Sequence, residues 1–237
     1  MGAVTEPTTP PSRALALAVV LAATAGFVDA HVYLFVVPVF VANQSGNLIG
    51  LGMTTGQEQW HDAASALVAI ASFIVGVLAA TTFLRRDRAR GVPARVYPLL
   101  QIEAAALLVL GLGLWIVDPT ISHGWRVIDL LVIFVGAGAM GVQSASLRSV
   151  GSVSITTTYG TGALVRVGEK LAAPLRTGDA VPDPQRMRTV AVLAVVLGSY
   201  VGGAALSAAL GSAHWLVLIP ALAMVGAAIA ARADAIT

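Results

Sequence analysis

Cysteine is absent from the chain, so disulfides, thiolate metal sites and cysteine nucleophiles are excluded outright. Charge is scarce: Asp, Glu, Lys and Arg make up 11% of 237 residues, where a soluble domain carries about a quarter. A soluble fold of this size could not cover its surface with so little charge. The formal net charge of +2 leaves no nucleic-acid footprint. Enzyme motifs are missing too: there is no HExxH and no GxSxG. Gly162 to Lys170 superficially resembles a phosphate loop, but the lysine stands one place late, so no ATP site and no cofactor are expected.

What the chain has in excess is apolar residues, 57% of the total. A bilayer accommodates such a surface, because lipid rather than water meets the side chains. A spanning helix needs about 20 mostly apolar residues. Six stretches qualify: Ala14–Val37, Ala63–Leu84, Tyr97–Val117, Val127–Leu147, Thr189–Leu210 and His214–Ala231. Pro38–Met53 and Ser152–Ala173 are partly apolar, but they are Gly- and Ser/Thr-rich and too short or too polar for ordinary spans.

Basic residues gather in cytoplasmic loops. Arg13, the five arginines from Arg85 to Arg95, the six bases from Arg148 to Arg188, and Arg232 all fall on one side of six alternating spans. Only Arg126 falls on the other. This 13-to-1 split points to a multi-pass protein with both termini cytoplasmic. Arg13, an apolar run and Ala23-Thr24-Ala25 also resemble a cleaved signal peptide. The apolar run continues past Ala25, and the segment before Arg13 has no base, so a retained span is the expectation. Residues 1–13 read as a disordered cytoplasmic tail, 14–117 and 127–237 as two three-helix halves, and 118–126 as an external linker.

The halves share a faint repeat. Gly26-Phe27-Val28-Asp29-Ala30 precedes Phe40-Val41-Ala42-Asn43-Gln44-Ser45-Gly46-Asn47-Leu48. Met140-Gly141-Val142-Gln143-Ser144 precedes Thr157-Thr158-Tyr159-Gly160-Thr161-Gly162-Ala163-Leu164. In each, a span with a polar residue near its end leads to a hydroxyl–Gly–x–Leu turn, with Gln143 as the partner of Asp29. An odd number of spans per half forces opposite orientations, and inverted repeats with interrupted helices are a transporter signature. The competing reading makes both Gly-rich segments interfacial helices or plain loops, since Gly, Ser and Thr also serve helix packing.

A lone carboxylate in a membrane is costly unless protonated, paired or hydrated, so Asp29 is expected to face the interior as a proton- or cation-coupling site. The alternative is a structural hydrogen bond to another helix, or a place near enough to the outer interface to be wet. In the coupling reading, Asp29→Asn keeps the fold and loses coupled flux. Glu103, one turn into the third span, either lines an ion path or snorkels toward Arg95. Asp129 reads as interfacial. Asn43, Ser45, Gly46 and Asn47 form one polar patch, and Thr158, Tyr159, Thr161 and Gly162 another. Both suit a small polar solute or ion, and both suit helix capping. His31, His61, His123 and His214 map to the outer half or outer loops, too scattered for a metal site. Gly198 and Gly202, with Gly203 beside them, and Gly136, Gly138 and Gly141 permit close helix contact within the chain or between copies.

The two motif pairs, extended through Val165-Arg166-Val167-Gly168-Glu169, resemble those of the YoaK family of bacterial membrane proteins. The likeness covers nearly the whole chain. The family commonly has Asn-Met-Thr-Gly-Asn where Asn43-Gln44-Ser45-Gly46-Asn47 stands, and Gln-Asn-Ala where Gln143-Ser144-Ala145 stands. The resemblance implies six spans in a bacterial inner membrane, in a family labelled as a domain of unknown function. The leading expectation is a small secondary transporter of a small polar or ionic solute, its partners being the bilayer and that solute. The alternatives are a non-transporting scaffold subunit of a membrane complex, or an oligomeric channel. An intramembrane enzyme is the least expected.

Overall fold

The computed structural model describes residues 11–90, 96–117, 127–147, 149–150, 153–155, 160–177 and 183–234. Its elements are α1 (Pro11–Phe35), α2 (Gln44–Gly56), α3 (Trp60–Ala89), α4 (Tyr97–Val117), α5 (Val127–Ser146), a ribbon of β1 (Ser149–Val150) and β2 (Val153–Ser154), α6 (Gly160–Thr177), α7 (Pro184–Leu210) and α8 (Leu218–Asp234). A 3-10 turn, His214–Val217, leads into α8. Six of these helical segments are long and apolar enough to cross a membrane: α1, α3, α4, α5, α7, and α8 with its 3-10 turn. They coincide with the six stretches expected from hydropathy. The expected linker, residues 118–126, and most of the expected tail lie outside the described residues; Pro11–Arg13 begin α1.

The helix ends follow local chemistry. Pro38 disfavours helical backbone at the residue before it, and α1 stops at Phe35, short of the expected Val37. Asp183 caps α7, its carboxylate accepting from the Gln185 N–H, with Pro184 in the first helical position. That pair starts the helix five residues before the apolar run at Thr189. Gly211, with φ of 87°, ends α7 in a backbone that other residues rarely adopt.

Both Gly-rich segments contain helices. The 13 residues of α2 span about 20 Å, short of a bilayer core of about 30 Å. The longer α6 carries Arg166, Glu169 and Lys170 on a face opposite its apolar residues. Before α6, β1 (Ser149–Val150) pairs antiparallel with β2 (Val153–Ser154).

The main interhelical packing joins α1 to α7, α3 to α5 and α4 to α8. Further contacts join α4 to α5, α1 to α8, α2 to α3 and α6 to α7. A main core of Leu21, Val28, Leu100, Leu107, Ile133, Met140 and Met224 lies among α1, α4, α5 and α8.

Glycines set the two closest crossings. A Cβ on Gly26 would collide with the Tyr200 carbonyl, and one on Gly203 with the Ala23 carbonyl. Between α3 and α5, Gly76 lies against the Gly138 carbonyl and Gly141 against that of Phe73. Such bare backbone lets helices approach where lipid gives no hydrophobic drive. A Cβ on Gly198 or Gly202 would meet nothing within 4 Å, so among the described residues the close contact of α7 belongs to Gly203, one position beyond Gly202.

Candidate functional site

Past Phe35 the chain must turn inside an apolar region, and its backbone N–H groups need partners there. Asp29, 2% exposed, supplies them. Its Oδ1 accepts from the Ala42 N–H at 2.6 Å, and its Oδ2 from the Asn43 N–H at 3.0 Å. The Tyr200 hydroxyl of α7 donates to the same Oδ2 at 2.5 Å. One carboxylate thus joins α1, the connecting loop and α7 by charge-assisted hydrogen bonds.

The polar patch that follows is knitted to itself. Asn47 uses its whole amide: Oδ1 accepts from the Phe40 N–H at 2.9 Å, while Nδ2 donates to the Phe40 carbonyl at 2.6 Å and to Gln44 Oε1 at 2.9 Å. Gln44 Nε2 donates to the Val41 carbonyl at 3.0 Å. Asn43 caps α2, its Oδ1 accepting from the Ser45 hydroxyl at 2.7 Å and from the Gly46 N–H at 3.4 Å. Gly46 is required because a Cβ would strike the Phe40 ring, which stacks on Tyr33 with centroids 4.5 Å apart. Val41 is fully buried against Gly136 of α5. Asn43, Gly46 and Asn47 therefore shape the loop, while Ser45 stands exposed.

Gln143 is fully buried and donates to the Leu21 carbonyl of α1 at 3.0 Å. Leu21 lies two turns before Asp29, so the two expected repeat partners engage α1 at separate levels. Glu103 is fully buried on the face of α4 that carries Leu100, Ala104 and Leu107. Neither of its carboxylate oxygens has a hydrogen-bond partner among the described residues. Its full burial leaves no snorkelling to the interface, while Arg95 lies outside the described residues. Thr158 and Tyr159 lie outside the described residues. Thr161 is exposed and Gly162 half-buried in the first turn of α6.

Two partnerships had no sequence signal. Tyr200 sits in an apolar span, distinguished only by its hydroxyl. His31 and His214, separated by 183 positions, are hydrogen-bonded through Nε2 and Nδ1 at 3.2 Å. His31 is enclosed between Phe27 and Phe35, with ring centroids 6.3 and 5.3 Å away. Their place at the same end of the spans was legible; their contact was not.

A family model described as "Protein of unknown function (DUF1275)" matches residues 17–230. The chain is 29% identical over 155 residues to the UPF0700 transmembrane protein YoaK of Bacillus subtilis (strain 168). That alignment covers 65% of this chain and 66% of YoaK, just under two thirds of its length. No solved structure matches.

Proposed function

From the premise that the chain belongs to the DUF1275 family, as a multi-pass membrane protein with six apolar helices, we propose that it is a small secondary transporter. It moves a small polar or ionic solute across a bacterial inner membrane, with both termini in the cytoplasm. It is built from two inverted three-helix halves.

The pair of glycine crossings carries this reading. Ala23 and Gly26 of α1 meet Tyr200 and Gly203 of α7 in one crossing, and Gly138 and Gly141 of α5 meet Phe73 and Gly76 of α3 in the other. Each half's first span thus packs on the other half's second span, with the same three-residue spacing. The α4–α8 contact, and the matched α4–α5 and α8–α1 contacts, fit the same exchange. Three spans per half put the relating axis in the membrane plane. Crossings made of bare backbone are surfaces along which helices can slide during alternating access.

Within this frame Asp29 is a clasp, because its oxygens are taken by Ala42, Asn43 and Tyr200. Glu103 has unused capacity and is the residue that binds the coupling proton or cation. A solute would contact Gln143 and the α2 and α6 segments when the halves part. One observation favours the second reading, a scaffold subunit: Asp29 and Gln143 are both enclosed and bonded to protein groups.

The test is flux in vesicles reconstituted with the full chain, across a panel of inorganic ions, amino acids and small sugars under an imposed proton or sodium gradient. Gradient-dependent uptake is expected in the wild type and is abolished in Glu103→Gln. Thermal stability should hold or rise in that variant, since a neutral amide is cheaper to bury. A wild type that moves nothing on the panel favours the scaffold reading.

A further inference from the structure

Helices α3 and α4 are consecutive, yet among the described residues they have little or no contact with each other; each leans on α5. The gap between them is a groove of about 590 Å³. Leu78 and Ala79 of α3 form one wall, Leu99 and Ile102 of α4 the other, and Val142 of α5 lies along it. Its lining is almost wholly apolar until Thr82 and Arg86, which stand at the end of α3.

Three features decide what fits. Along α3 the lining runs from Val75 to Arg86, about 16 Å of helix, close to the roughly 15 Å depth of one leaflet. The cation lies at the end rich in arginine, with exposed Arg85 and Arg90 nearby. The adjacent acid, Asp87, is buried, whereas Arg86 is exposed. Counted from Gly76 in one crossing and Gly203 in the other, the position of Arg86 corresponds to Ala213. That residue lies past the end of α7 and carries no charge.

We propose that this groove is a binding site for one anionic phospholipid, its acyl chain lying between α3 and α4 and its phosphate held by Arg86. The leaflet is the one facing the arginine-rich side. The inference does not depend on transport, and its failure would leave the flux reading untouched.

The experiment is native mass spectrometry of the detergent-purified full chain. Palmitoyl-oleoyl phosphatidylglycerol is titrated in parallel with the phosphatidylcholine of the same chains. An arginine near an anionic headgroup is worth about fivefold in affinity. The wild type is therefore expected to hold one phosphatidylglycerol about fivefold more tightly than phosphatidylcholine. Arg86→Gln should remove that preference. Ala79→Trp, which fills the groove from an exposed position, should weaken both lipids. Ile102→Trp fills it from the other wall and serves if the first variant does not fold. Arg188→Gln, an equal loss of charge on α7, should change nothing. Equal wild-type affinity for the two lipids overturns the proposal, as does an equal effect of Arg188→Gln and Arg86→Gln. A wild-type dimer that Ala79→Trp converts to monomer would assign the groove to a second copy and overturn it too.

Discussion

The crossing of α1 with α7 and the crossing of α5 with α3 use the same backbone device with different side chains around it. Matching Gly26 to Gly141 and Gly203 to Gly76 puts Ser144 where Asp29 stands and Phe73 where Tyr200 stands. In the first crossing a carboxylate and a phenol are hydrogen-bonded across the helices. In the second, Ser144 turns back to its own helix and donates to the Met140 carbonyl. The loops explain the difference. After α1 the chain has no strand to pair with, so the Ala42 and Asn43 N–H groups are received by Asp29. After α5 the chain pairs with itself as β1 and β2. A buried backbone needs partners in either case. Only where it lacks one of its own does the preceding helix carry an acid.

The largest expected effect tests whether the two crossings are alike. Gly26→Val and Gly141→Val each drive a side chain into a carbonyl that cannot move aside, at a cost above about 3 kcal/mol. Both should abolish the folded peak in size-exclusion chromatography. Gly202→Val, placed where a Cβ meets nothing, should leave it intact. Tolerance of one crossing variant but not the other would break the equivalence.

Next comes the polar difference between them. Asp29→Asn presents an amide N–H₂ to a site lined by three donors, so at least one N–H loses its acceptor, at roughly 1–3 kcal/mol. A lower thermal midpoint is expected. This departs from the coupling reading of the sequence, in which Asp29→Asn keeps the fold, and agrees with the alternative of a structural hydrogen bond. Ser144→Ala should shift the midpoint little, within about 0.5 kcal/mol. An Asp29→Asn midpoint at or above wild type would show that the clasp does not hold the loop.

The smallest effect sharpens the comparison further. Tyr200→Phe makes α7 resemble α3 at this position and removes one of three bonds to Asp29, for about 1 kcal/mol. Combined with Asp29→Asn it should add less than that, because the two changes act on one bond. Full additivity in thermal unfolding would mean that the hydroxyl stabilises α7 by some other contact.

Hydropathy and the arginine positions made six spans legible, because a bilayer imposes length and polarity on each segment by itself. The Asn43–Asn47 patch was legible as polar but not as self-satisfied. Its pattern of amides and hydroxyls suits a solute as well as it suits the Phe40 backbone. What a sequence does not carry is the register between helices. Gly198 and Gly202 have the spacing of a contact motif, yet a rotation of about 100° hands the contact to Gly203. The same ignorance hid Tyr200 from Asp29 and His214 from His31. The faint repeat drew attention to the same two regions that hold the glycine crossings. It aligned Asp29 with Gln143, where the glycine crossings align it with Ser144.

The clasp on Asp29 also bears on how the chain is made. Its backbone partners lie 13 and 14 positions downstream, while Tyr200 lies 171 downstream. During synthesis α1 meets lipid long before α7, its main packing partner, has been translated. A bare carboxylate would then linger in the bilayer without any hydrogen bond. The loop that follows α1 emerges almost at once and can fold back onto the acid. The two loop bonds to Asp29 can thus form from sequence neighbours alone, while the bond from Tyr200 needs the second half of the chain.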